Sequence, residues 1–359
     1  MRYPDFLTDN GTIGFVAPAF GCAMEPYQSA FNNAQKILKD KGHKLILGPN
    51  CYEGSGIGIS NTPKACGDEL TEYYVNQDCD ILLSCGGGEL MCEVVNFIDF
   101  DAISKARPKW YMGYSDNTNF TFLSATLADT AAIYGPCAPA FGMEPWHPAI
   151  QDAYDLLTGK KLEFTGYDKW EMDKLKSEED PLIPYNVTEP SIIKTYAPTG
   201  KSASDLESGI PESMIPGTDI TIKGRLLGGC LDCLVNLVGT KFDRVAEFNN
   251  KYGDDGIIWF LEACDLNVFS IRRAMWQLKN AGWFDKVSGF IIGRPLQFGQ
   301  EMFGLDQYKA VVDIISEFNV PILMDADIGH HPPMIPLVCG AMATVTTSGN
   351  TYQVKMDLN

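Results

Sequence analysis

The sequence predicts an α/β protein of two domains, each a sheet of largely parallel strands flanked by helices. Short apolar runs suited to buried strands alternate with helical apolar spacing along most of the chain. The length of 359 residues, 45% of them hydrophobic, is enough for two cores. A stretch from 165 to 221, rich in proline and charge, breaks the alternation and separates residues 1–164 from a smaller C-terminal α/β domain over 222–359.

The first strand is Thr12-Ile13-Gly14-Phe15-Val16-Ala17-Pro18, and Phe31, Ala34, Ile37 and Leu38 mark a helix over about Pro26 to Asp40. Lys44-Leu45-Ile46-Leu47 is the second strand. A loop from Tyr52 to Asn61 leads to a helix over about Pro63 to Asn76, and Asp80 to Cys85 is the third strand. Another helix is expected from near Glu89. The apolar run ending at Gly113 is a buried strand, followed by a helix from Asn117 to Ala128 and a strand at Ala131-Ala132-Ile133-Tyr134.

The interruption carries Pro181, Pro184, Pro190, Pro198, Pro211 and Pro216 together with Ser177-Glu178-Glu179-Asp180, so it reads as a linker or a substrate-covering loop, with Trp170 or Tyr185 as candidate ligand contacts. Alternation resumes at Ile222. Gly224 to Gly229 precedes a helix through Leu231, Leu234, Val235 and Leu237, and Gly256 to Leu261 is a buried strand that ends at Glu262. An amphipathic helix over Val268 to Ala281, a strand at Val287–Gly293, a helix over Asp306 to Phe318 and a strand at Pro321-Ile322-Leu323-Met324 follow. Two strands, Ala341 to Val345 and Thr351 to Lys355, close the chain around a Ser348-Gly349-Asn350 turn.

Composition excludes several functions. The formal net charge of -18 argues against nucleic acid or an anionic membrane as partner, because both are bound through Lys and Arg. No apolar run approaches the ~20 residues of a membrane span, and the first ten residues lack a secretory core, so the expected location is the cytoplasm. The 11 cysteines read as reduced core thiols. The lone Cys230-Leu231-Asp232-Cys233 has no second pair, and Gly14 and Gly21 do not give a dinucleotide-binding spacing, so neither a metal nor a cofactor is expected.

The chemistry centres on Gly113-Tyr114-Ser115-Asp116-Asn117. A serine two residues beyond the glycine that ends a buried strand, where a helix begins, is placed as a nucleophile is on a strand-to-helix elbow, although Asn117 replaces the usual final glycine. Such a serine needs a base, and the chain has only 4 histidines. His43 reads as a surface turn residue and His147 lies in a Pro-Trp-His-Pro turn, which leaves His330 or His331. Glu262 is the preferred carboxylate to orient the base, with Asp265, Asp325 and Asp327 as competitors. Gly86, Gly87 and Gly88 follow a strand and can bring backbone N–H groups to an oxyanion. The competing class is a non-catalytic two-domain protein that binds a small ligand in its cleft.

In that order, Gly86-Gly87-Gly88, Gly113-Tyr114-Ser115-Asp116, Leu261-Glu262 and Gly329-His330 resemble the LD-carboxypeptidase family of serine peptidases, which includes the microcin C immunity peptidases. The resemblance implies an N-terminal domain like the class I glutamine amidotransferases, a homodimer and no cofactor. It implies Ser115 as nucleophile, Glu262 as orienter and His330 as general base, with oxyanion donors from the backbone of Asp116 and of Gly87 or Gly88. Its substrates are small peptides of the muropeptide type or peptidyl and aminoacyl nucleotides. The sequence departs from the family pattern at His331, at Cys339-Gly340 and at Ala263-Cys264 after Glu262. Trp170, Arg225 and Arg294 are candidates for holding the substrate.

Overall fold

The computed structural model describes residues 1–54, 59–199 and 214–358. Residues 55–58 of the expected Tyr52–Asn61 loop and residues 200–213 of the expected linker lie outside the described residues.

The first sheet is built from β1 (Thr12–Val16), β2 (Lys44–Leu47), β3 (Ile81–Ser84), β4 (Trp110–Gly113) and β5 (Ala132–Tyr134). They pair in parallel in the order β5-β4-β3-β1-β2. The connecting helices are α1 (Tyr27–Asp40), α2 (Pro63–Val75), α3 (Met91–Val94), α4 (Phe100–Lys105) and α5 (Thr118–Leu127). α1 turns Ala30, Phe31, Ala34 and Leu38 inward, the stripe its spacing predicts. The helix expected from Glu89 is the single turn α3, and α6 (Pro148–Leu157) begins on His147, whose side chain accepts from the Ala149 N–H.

The second sheet begins with β6 (Glu163–Thr165), and β7 (Lys169–Trp170) forms a short ribbon with β8 (Glu189–Pro190). Then come β9 (Lys194–Pro198), β10 (Met214–Pro216) and β11 (Thr221–Cys230), followed by α7 (Leu231–Leu237), α8 (Val245–Tyr252) and β12 (Ile257–Glu262). α9 (Val268–Asn280), β13 (Val287–Gly293), the ribbon of β14 (Glu301–Met302) and β15 (Leu305–Asp306), α10 (Gln307–Ile315) and β16 (Ile322–Ala326) continue the chain. It ends with β17 (Leu337–Cys339), β18 (Met342–Ser348) and β19 (Thr351–Asp357). A parallel core, β16-β13-β12-β11, is extended by antiparallel β9 and β10 on one side and by β18, β19 and β6 on the other.

Two features differ from the sequence reading. The stretch expected as a linker supplies β9 and β10 to the outer edge of this sheet. Pro216 is tolerated because β10 is the edge strand and need not donate every N–H to a neighbour, and Pro198 is tolerated because it ends β9 beyond the last residue paired with β16, Tyr196. β17 pairs antiparallel with β5, so the chain returns from the second sheet to the first one before it ends. Among the described residues no helix is long and apolar enough to cross a membrane.

The active parts sit where parallel strands end. All six residues of β12 are buried, and each large aliphatic or aromatic side chain so covered contributes about 1.5–3 kcal/mol, which fixes the strand's carboxyl end. The two sheets meet at the carboxyl ends of β4 and β11. There the Thr118 hydroxyl, at the start of α5, accepts from the Cys230 N–H at 2.9 Å. This is the crevice in which open α/β sheets place their ligands.

Candidate active site

Ser115 directly follows the extended Tyr114 at the end of β4 and has φ of 63°, a left-handed conformation that costs a non-glycine residue energy and recurs where a nucleophile is held clear of its sheet. Gly113 makes the turn possible: a Cβ there would stand 2.7 Å from Asn117 Cγ. Asn117, the residue that replaces the elbow's usual glycine, is a tie. Its Nδ2 donates to the Gly86 carbonyl at 2.8 Å and the Tyr114 carbonyl at 2.9 Å, while its Oδ1 accepts from the Tyr111 hydroxyl. The glycine loop and the elbow are thereby held in one arrangement. Gly87 lies against the serine, since a Cβ on it would be 3.2 Å from Ser115 Oγ, and Gly88 continues the loop toward α3.

His330 completes a relay. Its Nε2 is 2.9 Å from Ser115 Oγ, and its Nδ1 is 2.8 Å from Glu262 Oε2. Gly329 lets the backbone pass directly over the acid, for at φ 104° a Cβ would come within 2.5 Å of Glu262 Oε2. Tyr114 packs its ring 5.2 Å from the imidazole. Tyr134, at the end of β5, accepts from the Ser115 N–H at 3.1 Å and donates to Glu262 Oε1 at 2.5 Å, joining the serine's backbone to the carboxylate.

The electrostatics of the pair are reciprocal. Burial pushes the Glu262 carboxyl up, but the charge of His330 and hydrogen bonds from His330 and Tyr134 outweigh it and hold Glu262 below its usual range. Burial likewise works against the imidazolium of His330, yet the Glu262 charge, the Cys264 thiol and the hydrogen bond to Glu262 raise it well above an ordinary histidine. Cys264 lies against His330, and burial raises its thiol.

The Asp116 carboxylate points inward, accepting from the Met91 N–H at 2.8 Å and from Asn119 Nδ2 at 3.0 Å; burial brings it up to about 6. Cys233 is buried beside it, with Sγ 3.8 Å from Asp116 Oδ1 and 3.6 Å from the Ser115 carbonyl oxygen. All 11 cysteines are free thiols. Among the described residues no cluster of His, Cys, Asp and Glu is arranged to hold a metal ion.

The competing assignments part here. His331 lies between the carbonyls of Glu171 and Leu296, 3.0 Å from each, and makes no bond to Ser115. Asp325 accepts from Tyr308 and Gln307, Asp327 pairs with Arg294, and Asp265 is exposed beside Cys264. His43, expected at the surface, is 3% exposed and bonds Tyr154 through Nε2 at 2.8 Å, because the turn that carries it folds under α6. Arg225 is occupied by Asp255, the Gly340 carbonyl and Tyr3. Arg294 is buried under Trp170, whose ring also packs on His331 and Phe298. These three candidates for substrate contact thus have protein partners.

Sequence reasoning missed Tyr134, Tyr114 and the tie made by Asn117. The available signal was position: each lies at or just beyond the carboxyl end of a parallel strand.

The chain matches the description "LD-carboxypeptidase N-terminal domain" over residues 13–135 and "LD-carboxypeptidase C-terminal domain" over residues 223–345. It is 26% identical to the microcin C7 self-immunity protein MccF of Escherichia coli, over 94% of this chain and 91% of that protein. It is 25% identical to a protein of Bacillus subtilis named as a probable murein peptide carboxypeptidase, over 98% of this chain and 94% of that one. Among solved structures, MccF in complex with aspartyl sulfamoyl adenosine superposes with a TM-score of 0.79 at 23% identity, covering 100% of this chain and 99% of that one. An MccF-like protein of Bacillus anthracis gives 0.77 at 20% identity, covering 99% and 100%.

Proposed function

The chain belongs to the LD-carboxypeptidase family, and from that premise we propose that it is a serine carboxypeptidase that cleaves a small peptide or peptidyl conjugate through an acyl-enzyme. The observation that carries the reading is the unbroken relay from Ser115 Oγ through His330 to Glu262, at 2.9 and 2.8 Å, on a strained elbow. Ser115 Oγ attacks the scissile carbonyl while His330 Nε2 takes its proton, and Glu262 stabilises the resulting imidazolium. The oxyanion faces backbone N–H groups of Asp116 and of Gly87 or Gly88. Collapse of the intermediate breaks the C–N bond, and His330 returns the proton to the leaving nitrogen. Water, deprotonated by His330, then hydrolyses the ester and restores the serine.

In this reading residues 1–164 form the nucleophile domain and 222–359 carry the acid and the base, and the enzyme works as a cytoplasmic homodimer without a cofactor. Two relatives frame the substrate: one named for microcin C7 immunity, the other for murein peptides. Incubating the protein with an LD-linked muropeptide and with an aminoacyl-nucleotide conjugate, followed by mass spectrometry, tests both. Release of a terminal amino acid or of the nucleotide part by wild type, and by no Ser115→Ala protein, is the expected result. If a serine-directed probe labels neither protein and a small ligand is retained uncleaved, the chain is a binding protein instead.

A further inference from the structure

The glycine loop that lies against Ser115 is held at both ends by the two residues that follow the nucleophile. At its start the Gly86 carbonyl accepts from Asn117 Nδ2 at 2.8 Å, and at its end the Met91 N–H donates to Asp116 Oδ2, also at 2.8 Å. Gly87 and Gly88 lie between these ties, and the Gly87 carbonyl is fixed from a third direction by the Phe20 N–H at 2.7 Å. Asp116 is itself clamped. Its Oδ1 accepts from Asn119 Nδ2 at 3.0 Å and lies 3.8 Å from Cys233 Sγ on α7, and Asn119 Nδ2 also reaches the Asp116 carbonyl at 3.0 Å. Asp116 and Asn119 are 4% and 1% exposed, so water does not compete for these bonds.

Met91 opens α3, and Leu90 before it supplies no side-chain cap, so the Asp116 carboxylate acts as a cap brought from a different part of the chain. α3 is a single turn of four residues, and the bond therefore places the loop rather than sustaining a long helix. We propose that the Asp116 side chain is a positioning residue for the oxyanion hole, setting the spacing between its own backbone N–H and those of Gly87 and Gly88. The inference rests on the peptidase reading above, which assigns the oxyanion to those N–H groups. Donors of this kind act because they are already in place when the charge develops, and losing one costs about 10²–10³ in kcat. An ionised acceptor suits the tie, since its bond to a backbone N–H is roughly twice as strong as a neutral one. Burial raises the Asp116 carboxyl to about 6 and the Met91 bond is the largest influence in the other direction, so at neutral pH both oxygens accept.

The test uses the full-length wild type, Asp116→Ala and Asp116→Asn. A fluorophosphonate that phosphonylates Ser115 places an oxygen where the oxyanion forms. Its labelling rate is read beside kcat and KM on whichever of the muropeptide and the aminoacyl-nucleotide conjugate wild type cleaves, and hydrogen exchange over residues 86–92 reports the tie. In Asp116→Ala the labelling rate and kcat should fall together by about 10², with KM within about threefold of wild type and faster exchange over 86–92. Asp116→Asn keeps the shape and one acceptor, and should recover part of the rate. A folded Asp116→Ala that is labelled and turns over within about threefold of wild type, or in which KM alone changes, overturns the assignment. If Asp116→Ala does not fold, Asp116→Asn decides. A shared fall in labelling and kcat beyond about threefold, with faster exchange, upholds the role, and faster exchange without that fall, or neither change, overturns it. A wild type that is neither labelled nor active overturns the peptidase reading and this inference with it, whereas an active wild type beside an unimpaired Asp116→Ala overturns this inference alone.

Discussion

Glu262→Gln isolates the part of the relay that neither touches substrate nor takes the serine proton. The side chain is 1% exposed and keeps its shape in the variant, so the change removes charge rather than volume. Glutamine can still face His330 Nδ1 at about the 2.8 Å seen for Oε2, but it no longer stabilises the imidazolium or selects the tautomer with the proton on Nδ1. Loss of that selection costs on the order of 10⁴ in kcat, about 5.5 kcal/mol at 1.36 kcal/mol per decade. The pH profile supplies a second readout. Activity needs His330 neutral, so kcat/KM rises with pH through the histidine's pKa, which Glu262 holds above the ordinary value. Removing the carboxylate should therefore move the acid limb toward lower pH. A kcat/KM profile from pH 5 to 10 for both proteins measures the two effects together. A loss below about tenfold, or an acid limb that stays in place, would refute the role given to Glu262.

Four other outcomes are expected. His330→Ala should abolish turnover whereas His331→Ala should keep kcat and lower the melting temperature, because His331 ties the Glu171 and Leu296 carbonyls together. Asn117→Gly restores the usual elbow pattern yet should reduce both stability and kcat. It deletes bonds to Gly86, Tyr114 and Tyr111, and stranded buried partners cost about 1–3 kcal/mol each; chemical denaturation measures the loss. Gly329→Ala should inactivate the enzyme while leaving it folded by circular dichroism, since its Cβ would displace Glu262. Tyr134→Phe should lower kcat by about ten- to a hundredfold with little change in KM, as the hydroxyl positions the Ser115 backbone and Glu262 but does not react.

Much of the α/β pattern was legible because buried strands and helix stripes leave periods of two kinds in the chain: β12 and α1 lie where their apolar spacing puts them. Edge elements were not. β9 and β10, at the outer end of the second sheet, contain Pro198 and Pro216 and carry little apolar signal, because most of their residues are only partly buried or exposed. Local spacing marked Ser115 and Glu262, a serine after a strand-end glycine and an acid at the end of a fully apolar run.

The sequence by itself determined the two-part α/β plan, the elbow and the short list of bases and acids. Only the tertiary structure decided which of them lie together. The residues that separate His330 from His331, and Glu262 from Asp325 and Asp327, lie far away in the chain: His330 Nε2 meets a serine 215 positions earlier, whereas His331 meets backbone carbonyls. Such contacts depend on how two sheets present their strand ends to one crevice, and no local periodicity records that. The same holds for Asn117, which looks like a flaw in an elbow until the glycine loop is folded against it.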